Sequence, residues 1–248
     1  MQSNLNKTWN ILWIDRIDST NTFVLKNLSL FKNKTVVCTV NQRKGRGTKQ
    51  RSFLSVPFKT LAFSILLKNI ELDLLNKIPI LCAISFVETL KNFSILNCKI
   101  KWFNDLLIEN KKIAGILCES TIEKAQKNIV AGIGLNLLST EEELKSLGLF
   151  NATSIFSKTN KKIKPNIFLD NFLFFFDRYI SNYKKMDIVK QYEKNCQTIG
   201  KNLKIYNIKT GEMFFAKSEK FLLDGHLLVK LNEKFYKLNY NEYSIEEI

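Results

Sequence analysis

The 248-residue chain has one histidine, three prolines and no long apolar run. Because His226 stands alone, a multi-histidine metal site is excluded, and any Ser-His-Asp or Cys-His relay would have to pass through it. His226 follows Asp224-Gly225, so we expect it exposed at a hairpin tip. The longest apolar stretch, Phe172–Phe176, is far shorter than a spanning helix. The amino terminus lacks a basic signal segment, so we expect a soluble cytoplasmic protein without a membrane partner.

Cysteine is also used sparingly, and none of the five cysteines forms a C-x-x-C pair. Their wide spacing argues against both a disulfide framework and a zinc knuckle. Most have apolar neighbours, and we expect buried, reduced thiols. We therefore predict no metal ligands among the protein side chains.

Arginine is rare although the formal net charge is +15. Only Arg16, Arg43, Arg46, Arg51 and Arg178 occur, and lysine supplies the other basic side chains. A non-catalytic basic protein that binds nucleic acid is one interpretation of this charge. Nucleic-acid binders more often combine arginine with aromatic residues, so we favour a solvated lysine surface that steers an acidic partner.

Apolar periodicity and turn residues predict an α+β fold, with a mixed β-sheet and flanking helices. From residue 203 short alternating strands predict a small SH3-like barrel, so we place one domain at 1–197 and a second at 198–248. Pro79 is expected to kink or break its helix. The predicted strands cover 10–17, 35–40, 61–67, 99–102, 106–108, 112–118 and 128–135, with a tight turn at 109–111, and the predicted helices cover 22–28, 72–90, 167–183 and 186–196.

Two segments about fifty residues apart carry the strongest chemical signal. Residues 41–51 place two glycines and several fixed positive charges in a polar loop after a β-branched strand. Glycine lets the backbone approach a ligand closely, and arginine supplies a charge that does not titrate. Residues 101–117 begin with a lysine at the end of a short strand, followed by an Asn-Asp turn. Together they predict a site that activates a carboxylic acid with a nucleotide, because joining two anions requires fixed cations.

Two further segments support this interpretation. Asp18-Ser19-Thr20-Asn21 begins a helix with side-chain oxygens suited to capping, and residues 131–136 place glycines along a strand that ends at Asn136. Taken singly, the basic loop is explained by a solvated surface loop, Lys101 by an edge-strand lysine and the glycines by close strand packing. Their joint occurrence favours one common site.

In this order and spacing the four segments resemble the biotin protein ligases, also called biotin–[acetyl-CoA-carboxylase] ligases. The resemblance covers most of the chain, and Ala152-Thr153-Ser154 and the terminal strands extend it. It implies a class II synthetase-like catalytic domain. It also implies that biotin and MgATP form biotinyl-5′-AMP, from which biotin passes to a lysine of a carrier domain. The default carrier is the biotin carboxyl carrier protein of acetyl-CoA carboxylase, and a homodimer is compatible with the resemblance.

The resemblance also implies roles for individual residues. Lys101 and Arg46 would be catalytic and hold the junction of carboxylate and phosphate. The implied biotin-binding residues are Ser19, Thr20, Asn21, Gln42, Gly45, Arg46, Gly47, Lys101, Gly132 and Gly134, and the implied ATP-binding residues are Arg46, Thr48, Arg51, Phe53, Lys101, Lys112 and Asn136.

The sequence departs from the family pattern at several positions. Thr48 and Gln50 replace an arginine and a glycine of the basic loop, Phe53 replaces a tryptophan, and Phe103 replaces a proline. We hypothesise that Lys49 partly substitutes for the lost arginine. If Thr48 leaves the adenylate poorly sequestered, activated biotin should leak and label bystander lysines.

A lipoate–protein ligase is the nearest enzyme alternative, since it shares the fold and the adenylate chemistry. The basic loop and the Lys-Trp-x-Asn-Asp strand favour biotin. Regulatory members of the family carry an N-terminal winged-helix domain, and only seventeen residues precede Asp18. We therefore expect no binding to a DNA operator.

Overall fold

A computed structural model describes residues 8–123 and 126–248. Its main feature is a seven-stranded sheet in the order β1-β2-β5-β9-β8-β7-β6. A two-stranded hairpin, β3-β4, carries the basic loop. The strands of this region are β1 (Asn10–Trp13), β2 (Thr35–Thr39), β3 (Gly45–Arg46), β4 (Ser52–Phe53), β5 (Thr60–Leu67), β6 (Cys98–Lys101), β7 (Asp105–Ile108), β8 (Lys111–Glu123) and β9 (Gln126–Asn136).

The large sheet is mixed, as predicted. β1 pairs with β2 in parallel, and the other neighbouring strands are antiparallel. The strand predicted over 10–17 ends at Trp13, and Ile17 forms a separate bridge to Gln42. The meander β6–β9 is confirmed. Its turn contains Glu109 and Asn110 at φ of 50° and 61°, which is typical of a tight type I′ hairpin.

The helices cover both faces of this sheet. They are α1 (Thr20–Lys26), α2 (Leu72–Asn92), α3 (Glu141–Ser146), α4 (Ile155–Thr159), α5 (Pro165–Asn182) and α6 (Ile188–Asn195). The main core lies between the sheet and α2, α5 and α6, and includes Phe63, Phe86 and Phe172. α1 packs on the opposite face, where Val24 meets Val37, Leu66 and Val130. α2 continues through Pro79, so the helix is not broken there.

The C-terminal region forms a five-stranded antiparallel sheet, in the order β13-β12-β11-β10-β14. Its strands are β10 (Asn202–Asn207), β11 (Met213–Phe221), β12 (Leu227–Leu231), β13 (Lys234–Leu238) and β14 (Tyr243–Glu247). The predicted barrel is not closed, because no pairing joins β13 to β14 in the described chain. Tyr240, in the connection between β13 and β14, stacks on Phe103, which follows β6 of the large sheet. This contact holds the connection against the larger region.

Three smaller expectations can be compared with this fold. All five cysteines are free, and four of them are buried. His226 follows the turn between β11 and β12, but its side chain is only 29% exposed, so the prediction of an exposed tip was wrong. No helix among the described residues is long and apolar enough to span a membrane. The domain boundary at 197/198 stays a prediction.

Candidate active site

A cavity of about 250 Å³ lies where α1, the basic loop and strands β6–β9 meet. It adjoins a larger cavity of about 970 Å³ that runs along the basic loop. Thirteen of the fifteen predicted site residues line the smaller cavity: Ser19, Thr20, Asn21, Gln42, Arg46, Gly47, Thr48, Arg51, Phe53, Lys101, Lys112, Gly132 and Gly134. Gly45 lines the larger one, and Asn136 lies outside both.

The start of α1 supplies a buried polar wall. Ser19 is the helix N-cap, and its hydroxyl accepts a hydrogen bond from the Thr22 N–H at 3.3 Å. The Thr20 N–H donates to Gln42 Oε1 at 2.9 Å, and the hydroxyls of Thr20 and Ser64 are hydrogen-bonded to each other at 2.7 Å. These hydroxyls and amides hold one another in place, so they present a fixed set of donors and acceptors to the cavity.

The Asn21 side chain occupies the space that a side chain at position 132 would need. The Asn21 amide donates to the Leu117 carbonyl at 3.1 Å and to Glu119 Oε2 at 2.9 Å, and its oxygen accepts from Ser64. The side chain therefore lies across β9, where a Cβ added to Gly132 would come within 2.1 Å of Asn21 Oδ1. Only glycine leaves room for this arrangement.

Two other glycines accommodate Phe53. A Cβ on Gly134 would meet the Phe53 ring at 2.4 Å, so the ring lies directly on the strand. A Cβ on Gly45 would meet the Phe53 carbonyl oxygen at 2.4 Å and the Gln42 side chain at 2.6 Å. The hairpin of the basic loop can therefore close against β9 only because positions 45 and 134 carry no side chain.

Lys101 ends β6, and the corner that follows it is braced by distant parts of the chain. The Trp102 N–H donates to Thr198 Oγ1 at 3.0 Å, and the Tyr192 hydroxyl donates to the Phe103 carbonyl at 2.9 Å. The Phe103 ring stacks on Tyr240 with 4.0 Å between centroids. Lys101 itself forms no ion pair with any described residue. Its ammonium is therefore available to a ligand.

Lys112 is held differently, because it is paired with Asp105 at 2.5 Å across the sheet. The backbone of Lys112 also binds the segment before α4, since the Thr153 N–H donates to its carbonyl at 2.9 Å. The Asn136 amide donates to the Thr153 carbonyl at 3.1 Å, which explains why Asn136 is buried away from both cavities. The predicted contact of Asn136 with the nucleotide stays a prediction.

A carboxylate network supports this edge of the site. Glu141 accepts hydrogen bonds from Lys111 at 2.7 Å and from Thr153 Oγ1 at 3.0 Å, and it also pairs with Lys158. These contacts, with Lys111 the largest contributor, lower the pKa of Glu141 to about 2. The network ties α3 to the turn that precedes Lys112.

The basic loop provides most of the charge. Arg46 forms an ion pair with Glu119 of β8, and its Nη1 also donates to Thr22 Oγ1 at 3.2 Å. The Lys49 ammonium donates to the Tyr243 carbonyl at 2.9 Å, which links the loop to the C-terminal sheet. Burial, and then the nearby Arg51 charge, lower the pKa of Lys49. Arg46 and Lys101 border the same cavity, as a shared role at the junction of carboxylate and phosphate requires.

Sequence reasoning missed several residues of the site. Glu119 lies two residues after the segment that carries the lysine motif, and no local signal relates it to Arg46, 73 positions earlier. Trp102, Tyr240 and Tyr243 also line the cavity. Tyr243 begins β14 and Tyr240 lies in the connection before it, so the position of both depends on how the C-terminal sheet packs. The described chain contains no cluster of three or more His, Cys, Asp or Glu side chains that could hold a metal.

The sequence of this chain matches a family of known proteins. The profile of the Biotin/lipoate A/B protein ligase family matches residues 13–136. The "Bifunctional ligase/repressor BirA" of Bacillus subtilis is 27% identical over 213 residues, which cover 82% of this chain and 64% of that protein. "Biotin--protein ligase 1, chloroplastic" of Arabidopsis thaliana is 31% identical over 133 residues, covering 51% and 36%. The chain thus spans about two thirds or less of the length of these relatives.

Solved structures show the same fold. The biotin protein ligase of Aquifex aeolicus in complex with biotin and ATP superposes with a TM-score of 0.80 at 24% identity, covering 96% of this chain and 99% of that one. The Leishmania major enzyme in complex with biotinyl-5-AMP gives 0.63 at 17% identity, with coverage of 93% and 98%. Since the family profile spans half of the sequence and includes the helix start, the basic loop and the lysine strand, this chain belongs to the Biotin/lipoate A/B protein ligase family.

Proposed function

We propose that this chain is a biotin–protein ligase that activates biotin with MgATP and transfers it to a lysine of a biotin carboxyl carrier domain. The observation that carries the proposal is the environment of Lys101. Its ammonium, without a carboxylate partner among the described residues, borders the same cavity as Arg46 and the wall formed by Gly132 and Gly134. A free cation beside a flat, glycine-lined wall suits a carboxylic acid that must meet a phosphate.

Electrostatics support this chemistry. In the first step a carboxylate oxygen attacks the α-phosphorus, the bond to the β-phosphate oxygen breaks, and pyrophosphate leaves. The two reactants repel each other, so fixed cations must offset their charge. Each carboxylate that borders the two cavities is already paired with a cation, which leaves Lys49, Arg51 and Lys101 without acidic partners in the described structure. This excess of positive charge matches a polyphosphate.

In the second step the neutral amine of the acceptor lysine attacks the carbonyl carbon of the mixed anhydride. The bond from that carbon to the phosphate oxygen breaks, AMP leaves, and the amine loses a proton to solvent. Lys101 and Arg46 would stabilise the departing phosphate. Mg²⁺ would enter as part of the MgATP substrate.

The polar wall at α1 favours biotin over lipoate. Ser19, Thr20 and Asn21 are all at most 5% exposed, and Gln42 completes the wall. A ureido ring can form hydrogen bonds to such hydroxyls and amides in addition to those they make to one another, whereas a dithiolane ring cannot. A hydrogen bond contributes about 0.5–1.5 kcal/mol, so a few of them are enough to discriminate between the two acids.

The roles of the remaining residues follow from their positions. Gln42, Gly45 and Gly47 would shape the ring end of the site, and Gly132 and Gly134 would form its flat wall. Phe53 would offer a ring face to adenine, while Thr48, Arg51 and Lys112 would lie nearest the phosphates and ribose.

The proposal is tested by transfer of biotin to a purified carrier domain, followed by intact mass spectrometry with biotin and ATP each omitted in turn. Lys101→Ala should reduce the rate on the order of 10²–10³, the range typical for a lost transition-state contact. Lys99→Ala is the matched control, since Lys99 lies on the same strand but is exposed. If lipoate is transferred instead, or if the wild-type chain adds no mass to the carrier, the biotin assignment is wrong.

A further inference from the structure

Glu119 places a negative charge at a site that otherwise favours anions. It lies on β8 at the border of the larger cavity, and its side chain is only 23% exposed. Its two carboxylate oxygens have different partners. Oε1 pairs with the Arg46 guanidinium, and Oε2 accepts the Asn21 amide at 2.9 Å.

This arrangement occupies the arginine that the proposed reaction needs. Arg46 is 45% exposed and is held between β8 and α1, through Glu119 on one side and Thr22 Oγ1 on the other. A phosphate or carboxylate that approaches Arg46 must compete with a carboxylate already in place. Arginine can bond two oxygens side by side, so an anionic ligand can replace Glu119 without leaving the guanidinium unpaired.

We infer that Glu119 is a positioning residue that stands in for the substrate anion, keeping Arg46 paired until a phosphate or carboxylate displaces it. This inference rests on the proposed function, since it assigns Arg46 to an anionic substrate. In the ligand-free protein Glu119 holds the basic loop against β8 through Arg46. When an anion binds, Glu119 keeps its bond to Asn21, so the ring end of the site stays ordered while the loop exchanges partners.

The inference makes a prediction opposite to that of a purely structural role. Removing the charge with Glu119→Gln keeps a side chain of the same size that can still accept from Asn21, but it ends the competition for Arg46. Coulomb's law gives roughly a tenfold effect for one unit charge about 6 Å from an anion, at an effective dielectric between those of a protein surface and water. Inorganic pyrophosphate should therefore bind at least roughly tenfold more tightly to Glu119→Gln, and biotin, which carries only one negative charge, should gain affinity by a smaller factor.

The experiment is titration calorimetry of the full chain with pyrophosphate and, separately, with biotin. Glu212→Gln is the matched control, because Glu212 is an exposed acid that borders neither cavity, and it removes the same charge. The variants Arg46→Gln and Arg46→Gln/Glu119→Gln test whether Glu119 acts through Arg46. In chains that carry Arg46→Gln, the increase in pyrophosphate affinity caused by Glu119→Gln should fall to less than half of its value in the wild-type chain.

Three results would overturn the inference. Weaker binding of both ligands to Glu119→Gln would mean that Glu119 only maintains the structure, and an undiminished gain in the Arg46→Gln background would mean that its charge acts without Arg46. These outcomes are separate from failure of the proposed function. A wild-type chain that transfers biotin, with an unchanged pyrophosphate affinity in Glu119→Gln, would contradict the inference alone.

Discussion

The contact between Asn21 and Gly132 gives a sharp prediction for Gly132→Ala. The new methyl group would lie 2.1 Å from Asn21 Oδ1 and 2.7 Å from its Cγ, so the side chain must move. Asn21 cannot move freely, since it is tied to Leu117 and Glu119 and is 4% exposed. Overpacking costs about 1–3 kcal/mol, and a lost internal hydrogen bond adds about 1 kcal/mol. We expect the free energy of unfolding to fall by about 2–4 kcal/mol.

Urea unfolding followed by circular dichroism measures this change, and Gly115→Ala is its matched control. Gly115 lies on the neighbouring strand, but a Cβ there would meet the end of the Lys112 side chain at 3.2 Å and, at an ordinary contact distance of 3.7 Å, Asp105 Oδ1. Because alanine also restricts the unfolded chain, Gly115→Ala should change stability by less than about 1 kcal/mol.

A double variant tests the cause. In Gly132→Ala the further change Asn21→Ala removes the clashing side chain, so the two effects should be less than additive by about 1 kcal/mol or more. The reasoning is refuted if Gly132→Ala is as stable as Gly115→Ala, or if the two changes at 21 and 132 simply add.

Three other predictions follow from the site. Wild-type protein incubated with biotin, ATP and an unrelated protein should label that bystander, and Thr48→Arg should lower the labelling; background labelling by the wild type would reject the leak hypothesis. Tyr240→Ala removes the stack on Phe103 and should lower the unfolding free energy by about 1–3 kcal/mol, whereas Tyr240→Phe should retain it; equal losses in both variants would contradict a role for stacking. Because the folded-state pKa of Glu141 is depressed from 4.5 to about 2, its stabilising contribution is present above pH 4.5 and is lost as pH falls toward 2. The stability difference between wild type and Glu141→Gln should therefore shrink over that interval, and a constant difference would exclude this linkage.

Local sequence patterns predicted the elements that depend on neighbouring residues. The meander of β6–β9 follows from alternating apolar residues and a turn at 109–111, both of which act over a few positions. The start of α1 follows from Ser19, whose hydroxyl accepts a hydrogen bond from the Thr22 N–H only three positions later in the chain. Thirteen of the residues in the ordered motifs line one cavity, where the start of α1, the basic loop and the central strands meet.

Other features depended on contacts between distant segments. The helix continues through Pro79 because the turn that follows it is buried in the main core, and packing there outweighs one lost hydrogen bond. The C-terminal strands have the alternation of a barrel, but alternation does not specify whether the last strands pair. In the structure β13 and β14 lie at opposite edges of the sheet, and Tyr240 between them stacks on Phe103.

Adjacent residues were therefore enough to predict the strands, the basic loop, the glycines and the lysine at the end of β6. Which charges remain free depended on the packing of distant segments. Glu119 neutralises Arg46 and Asp105 neutralises Lys112, whereas Lys101 faces the cavity without an acidic partner in the described chain. The physical reason is that an ion pair forms over a few ångströms in space, and residues 73 positions apart approach that closely only after the sheet and the loop have packed.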